Sequence, residues 1–333
     1  MPAFRPLVAA VVTGLLFAVA LAVTPGTAGA VSPAVHDGKV AFARANQIYT
    51  INPDGTGVRQ LTTTATGRSY APRWSPDGTR IAFVNEPASG KRYLDLMNAD
   101  GTGKVRVTNT VVSGAAPAWS PNGKTLAFGG PCRIPGTTLC AEYRINKFQP
   151  SWTLDHVQAA ARNAAPTTYA GDEPQYGRVA VGNVDGAIAW SKTGFIAYYS
   201  SNWPDASDHY LLTYQVTGGQ IDEVAQIGSE VYGNGYFADP AFSPSGTGIA
   251  YQAQVTEIGS PTDTPHIVEC SGPSTCAVFP HVAHDGQPRF SPTGTRIVFE
   301  NDAAGPRVFT ATVTGAGRKL LTTGYSPDWQ PTH

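Results

Sequence analysis

The feature that most constrains this chain is a short block, Trp74-Ser75-Pro76-Asp77-Gly78, followed at once by the apolar run Arg80-Ile81-Ala82-Phe83-Val84. Near-copies begin at Trp119, Trp190, Phe242, Phe290 and Trp329. Ser-Pro-Asp-Gly suits a tight turn: proline presets φ at the second position, aspartate bonds the local backbone, and glycine is favoured at the fourth. The aromatic before the turn and the apolar, partly β-branched run after it then become two antiparallel strands. Between anchors a second pattern recurs: Gln47-Ile48-Tyr49-Thr50-Ile51, the turn Asn52-Pro53-Asp54-Gly55, and a further strand over residues 58–62. The next unit repeats it with Tyr93-Leu94-Asp95-Leu96-Met97, Asn98-Ala99-Asp100-Gly101 and residues 105–108, so each unit supplies four short strands.

Spacing decides the architecture. Successive anchors lie 45, 71, 52, 48 and 39 residues apart. Four-stranded repeats of roughly 40 to 50 residues are the signature of a β-propeller, whose blades bury their faces against their neighbours. The sixth anchor, Trp329-Gln330-Pro331, stops two residues before the C-terminus, and the segment Asp37-Gly38-Lys39-Val40-Ala41-Phe42 reads as its missing continuation. The expected fold is therefore all-β: a six-bladed β-propeller of four-stranded antiparallel blades, closed by pairing of the N- and C-terminal segments so that no edge stays open.

The pattern Pro-x-Trp-Ser-Pro-Asp-Gly-x-x-Ile-Ala-Phe, then Ile-Tyr-x-x-Asn-x-Asp-Gly and a Leu-Thr strand, resembles the WD40-like repeat of TolB-type β-propellers. Residues 36–110 match it closely and residues 238–333 match well, while residues 130–190 depart from it. The resemblance implies a six-bladed disc with one strand of each blade lining a central channel. It also implies interaction rather than catalysis, TolB being a periplasmic partner-binding protein, and it transfers no ligand.

The N-terminus reads as an address. Arg5 precedes the apolar residues 7–23, and Ala28-Gly29-Ala30 offers a small-residue cleavage site before Val31. The expectation is a signal peptide over residues 1–30, a secreted or cell-envelope protein, and a propeller over 31–333. An uncleaved anchor is the alternative, since the apolar stretch is just long enough to span a bilayer; no span is expected in the chain after it. With 14% charged residues and a net charge of −1, the protein lacks the electrostatic footprint of a nucleic-acid binder. The residues after the leader are used up by six blades, and a monomer is expected.

Cys132 with Cys140, and Cys270 with Cys276, form two close pairs. Outside the cytoplasm such a set reads as disulfides, and Cys-x7-Cys and Cys-x5-Cys are not metal-finger spacings. The 71-residue interval after Trp119 exceeds the mean of the others by about 25 residues, which points to an insertion at about 130–180. Residues 155–165 are the alanine-rich, helix-capable run within it. A degenerate seventh blade is the competing explanation.

No nucleophile elbow, zinc helix or phosphate loop occurs, and no cofactor or metal is expected. His281-Val282-Ala283-His284-Asp285 is the best metal-like cluster, but positions three apart on a strand face opposite ways. The acidic pairs Asp172-Glu173 and Asp222-Glu223, and Asp205, Asp208 and His209 beside Trp203 and Tyr210, leave a carbohydrate-active hydrolase or lyase as the alternative function. The preferred reading is a scaffold that binds a protein or peptide, without catalysis, at the mouth of its channel. The loops leading into the anchor strands would form that mouth, with Arg68, Tyr70, Phe237, Asp239, His284, Asp285, Gln287 and Tyr325 as the candidate contacts. A sensor or ligand-capturing module is a third possibility that fold alone does not separate from these.

Overall fold

In the computed structural model the described residues are 37–108, 116–129, 142–146, 166–167, 188–200, 209–215, 221–227, 236–254, 266–270, 276–279 and 283–332. All the strands lie in the unit Val35–His333. In chain order they are β1 (Val40–Arg44), β2 (Gln47–Ile51) and β3 (Arg59–Gln60), then β4 (Arg68–Trp74), β5 (Arg80–Glu86), β6 (Tyr93–Asn98) and β7 (Val105–Arg106). The second anchor opens β8 (Ala118–Trp119), β9 (Thr125–Gly129), β10 (Glu142–Asn146) and β11 (Pro166–Thr167). The third opens β12 (Ala189–Trp190), β13 (Phe195–Ser200), β14 (His209–Gln215) and β15 (Ile221–Ile227). Then follow β16 (Tyr236–Phe242), β17 (Ile249–Gln254), β18 (His266–Cys270) and β19 (Cys276–Val278). The chain ends with β20 (Asp285–Phe290), β21 (Arg296–Asn301), β22 (Arg307–Thr312), β23 (Lys319–Thr323) and β24 (Tyr325–Trp329).

Among the described residues these make six four-stranded antiparallel sheets, each opening on an anchor strand. Five follow the chain in order. The sixth is β24-β1-β2-β3, with Val40 opposite Trp329 and Ala41 opposite Asp328. Gln330 N–H donates to the Lys39 carbonyl at 2.8 Å and Trp329 Nε1 to the Gly38 carbonyl at 3.0 Å, extending that junction. The two ends of the chain therefore share one blade, as the split repeat requires. The anchor strands touch in a ring, each meeting the next from β4 to β24 and β24 meeting β4 again.

The turns form as their chemistry dictates. Gly78 N–H donates to the Ser75 carbonyl at 2.8 Å, Gly78 has φ of 65°, and Ser75 Oγ accepts from Arg80 N–H at 2.9 Å. The same carbonyl-to-glycine bond recurs from Ser120, Ser191, Ser243 and Ser291.

The core lies between sheets rather than inside any one. Ala41 and Ile48 pack with Trp74, Ile81, Phe83 and Met97 of the next blade, and Phe42 and Ile51 with Val298 and Val308 of the preceding one. Phe42, Phe83 and Phe299 are fully buried, and truncating such a phenylalanine to alanine costs about 3 to 5 kcal/mol.

β10 and β11, which lie in the long interval, belong to the sheet of the second anchor. The rest of the expected insertion, including the helix-capable 155–165, lies outside the described residues, as do Cys132 and Cys140 and the leader over 1–30. Cys270 is disulfide-bonded, and the residue opposite it in the ladder is Cys276. Among the described residues no helix is long and apolar enough to cross a membrane.

Candidate functional site

Four anchor strands carry the same irregularity. Ala71 and Pro72 together face the single residue Phe83, and Asp239-Pro240, Gln287-Pro288 and Ser326-Pro327 do likewise against Tyr251, Phe299 and Phe42. The residue before each proline has a φ of 51° or 52°. Proline has no N–H to give to the ladder and so suits a bulge, and a bulge re-aims the residues that follow it. Here the residue that follows sits immediately before the anchor aromatic: Arg73, Ala241, Arg289 and Asp328. Ala118 and Ala189 hold the same place in the other two blades.

Around the ring this position therefore reads Arg73, Ala118, Ala189, Ala241, Arg289, Asp328, a charged half and an alanine half. These residues line a cavity of about 530 Å³. The anchor aromatics Trp74, Trp119, Trp190, Phe242, Phe290 and Trp329 line it next. At the outer end it is bounded by the second residues of the turns, five of them prolines and the sixth Lys192. The cavity thus occupies the turn end of the channel, with apolar walls, a charged inner level and a proline rim.

The inner level is tightly held. Arg73 and Arg289 keep only 6% and 7% of their surface exposed. Each guanidinium curls back on its own strand, Arg73 Nη1 donating to the Pro72 carbonyl at 2.8 Å and Arg289 Nη1 to the Pro288 carbonyl at 2.6 Å. Arg289 Nη1 also reaches the Asp239 carbonyl of the neighbouring blade at 3.1 Å, and its Nε lies 3.9 Å from Asp328 Oδ1. Asp328 Oδ2 accepts from the Trp74 N–H at 2.7 Å, tying the last anchor strand to the first. Arg289 Nη2 is buried with no hydrogen-bond partner among the described residues. Burial, then repulsion from Arg289, pushes Arg73 down to about 9, with Asp328 and Asp239 opposing. Burial lowers Arg289 too, and lifts Asp328 against the pull of both arginines.

The residues singled out from the sequence stand at the other end of the anchor strands, and among the described cavity walls none lines this space. Arg68 and Tyr70 converge on Glu86: Arg68 Nη2 is 3.0 Å from Glu86 Oε2, Tyr70 Oη donates to it at 3.4 Å, and the Arg68 guanidinium lies 4.9 Å over the Tyr70 ring. Phe237 is buried edge-on to Tyr251 at 5.6 Å and serves packing between blades. Asp285 is buried under a two-pronged bond from Arg318 at 2.6 and 2.9 Å, with Asn301 Nδ2 donating at 2.8 Å, so its carboxylate is already engaged. His284 Nδ1 lies 3.1 Å from Asp302 Oδ1. Asp239 and Gln287 hold the equivalent bulge position in two neighbouring blades. Tyr325 lines a smaller cavity of about 280 Å³ with Arg44 and Arg307.

Beside them sits a group that sequence reasoning passed over. Glu300 is raised to about 7, first by burial and then by Asp239 and Asp302, while Ser326 N–H donates to its Oε2 at 3.1 Å. Arg73, Arg289 and Asp328 were passed over too, although their signal is present: they are the variable residue of Pro-x-aromatic, immediately before each anchor. No group of three metal-ligating side chains gathers among the described residues. Asp222 and Glu223 lie on β15, the outermost strand of its sheet, far from the ring of anchor strands; Asp172, Glu173, Asp205 and Asp208 lie outside the described residues.

No family model matches the chain, and no curated protein does. Solved structures do. TolB from Acinetobacter baumannii is 16% identical with a TM-score of 0.66, over 89% of this chain and 67% of that one. A nidogen/laminin complex is 8% identical with a TM-score of 0.58, over 88% of this chain and 98% of that one. The tricorn protease is 12% identical with a TM-score of 0.59, over 87% of this chain and 26% of that one. Likeness at such identities speaks for the fold and leaves function open, since the same wheel serves binding proteins and enzymes. With six four-stranded sheets in a ring shut by its own two ends, the chain has the fold of a TolB-type β-propeller.

Proposed function

We propose that the protein is an exported, non-catalytic binding propeller that seats a peptide or protein segment in the turn-end cavity of its channel. The observation that carries this reading is the cavity itself: about 530 Å³, walled by four tryptophans, two phenylalanines and turn prolines, with a few buried polar groups at its inner level. Apolar concavity with sparse fixed polar groups is the usual form of a site that binds and orients a ligand. A nidogen/laminin complex among the similar structures supports partner binding as a use of this wheel. The described acid pair at Asp222 and Glu223 stands on an outer strand, which weighs against chemistry in the channel.

Export rests on the leader-like residues 1–30, and N-terminal sequencing of the secreted protein is expected to begin at Val31. Recovery only with Met1 retained contradicts cleavage. The binding reading is tested with a photo-crosslinking residue placed at Lys192 on the rim or, as a control, at exposed Leu320 on the outer strand β23. Crosslinks to a polypeptide from Lys192 and not from Leu320 are expected in envelope extract. No adduct at the rim, together with breakdown of a polysaccharide by the purified protein, sinks the proposal.

A further inference from the structure

We propose that the inner level of the channel is an anion site, in which Arg73 and Arg289 hold a single carboxylate presented by an apolar body. This rests on the binding reading above and names the chemical group that the cavity selects.

Three observations converge on it. The first is charge. The cavity lining holds the cations Arg73, Arg289 and Lys192 against one carboxylate, Asp328; Asp239, which also feels both arginines, is outside that lining. Asp328 inside the lining and Asp239 outside it both act on the two arginines, so cations outnumber carboxylates only within the cavity itself. A buried charge is costly without a partner.

The second is unused donor capacity. A guanidinium has five N–H donors. Among the described residues the Arg73 guanidinium makes one hydrogen bond, to the Pro72 carbonyl, and Arg289 Nη2 is buried with no partner. Donors left in this state in an apolar setting form strong, charge-assisted bonds to an arriving carboxylate.

The third is room. Ala118, Ala189 and Ala241 occupy the three ring positions opposite the charged half, and small side chains there leave the space that a ligand's apolar body fills. Aromatic walls above the arginines suit such a body. A single carboxylate suits the unpartnered Arg289 Nη2 beside two arginines whose charge Asp328 and Asp239 already offset in part. The carboxylate has two sources, the C-terminus of a peptide or a free organic acid.

Tryptophans in the cavity wall supply the readout. The exported protein is titrated with an N-acetylated tripeptide ending in a free phenylalanine carboxylate, with the same peptide as its C-terminal amide, with benzoate, and with inorganic phosphate. Fluorescence is followed and affinity is confirmed by calorimetry. The acid-ended peptide or benzoate is expected to bind saturably, at least tenfold tighter than the amide. Arg73→Met is expected to lose at least tenfold, with Arg73→Lys recovering part of it, and affinity is expected to fall as pH rises past about 9, where Arg73 loses its proton. Benzoate binding as well as the peptide assigns the site to free acids; the peptide binding better assigns it to chain ends.

Equal affinity for acid and amide, tighter binding of phosphate than of either carboxylate, or no binding at all overturns the proposal. The acid-against-amide comparison uses unaltered protein, so it decides even if a variant misfolds. If the anion site fails while rim crosslinks to a polypeptide persist, the binding reading stands without it; if both fail, both are wrong.

Discussion

Arg73 shows at the scale of one residue how the proposed anion-binding group is held at a cost to stability. Its folded value of about 9 lies below the usual 12.5, so the penalty of its buried charge is fully present below pH 9 and is relieved as pH rises towards 12.5. Replacing it with methionine removes a cation while Arg289 and Asp328 keep each other. Chemical denaturation at neutral pH is expected to show Arg73→Met at least as stable as the parent; a loss above about 2 kcal/mol would mean the guanidinium is a structural support. Asp328→Ala acts oppositely. It takes from the two arginines one of the two carboxylates that act on them and leaves the Trp74 N–H without its acceptor, and is expected to cost about 3 to 5 kcal/mol. Glu300 supplies a pH dependence. Its folded value of about 7 exceeds the ordinary 4.5, so the folded chain holds the extra proton between those limits and stability falls as pH rises from 4.5 to 7. The swing is on the order of 3 kcal/mol. Melting temperatures of Glu300→Gln across that range are expected to flatten the slope; an unchanged slope would place the titration elsewhere.

At the scale of the element, the turn and the bulge divide what was legible in the sequence from what was not. Ser-Pro-Asp-Gly states its geometry in its residue types, because proline and glycine act on φ directly, and so anchors, strand order and blade count follow from reading. The bulge is written less plainly. Its proline is visible, but the positive φ of Ala71, Asp239, Gln287 and Ser326 is imposed by the paired strand, and alternation counted along β4 assigns faces wrongly beyond it. Residues ahead of the bulge thus read as channel contacts, yet Phe237 is taken up by packing and Asp285 by Arg318, and the residue before each aromatic faces the cavity instead. The turn glycines allow a clean test. Gly78 and Gly90 have φ of 65° and 71°, but a Cβ on Gly78 would collide with the Pro331 carbonyl, while one on Gly90 meets nothing within 4 Å. Gly90→Ala is expected to cost about 1 kcal/mol from conformation alone, and Gly78→Ala at least twice that. Equal losses would show that the turn and the last blade do not meet as described.

For the molecule as a whole, closure sets both stability and site. β24 covers the open edge of β1, and through Asp328 it also contributes the carboxylate of the channel's inner level. Removing residues 325–333 takes away both at once. The truncated chain is expected to lose cooperative unfolding and most of a typical domain stability of about 5 to 15 kcal/mol. An unchanged melting transition would mean that the ring does not depend on its seam. The most direct measurement is a crystal structure of the protein soaked with the acid-ended peptide. The carboxylate is expected between Arg73 and Arg289, with the apolar side chain among the anchor tryptophans. Density at the opposite mouth, near Arg68 and Tyr325, with an empty turn-end cavity, would contradict the site assigned to this wheel.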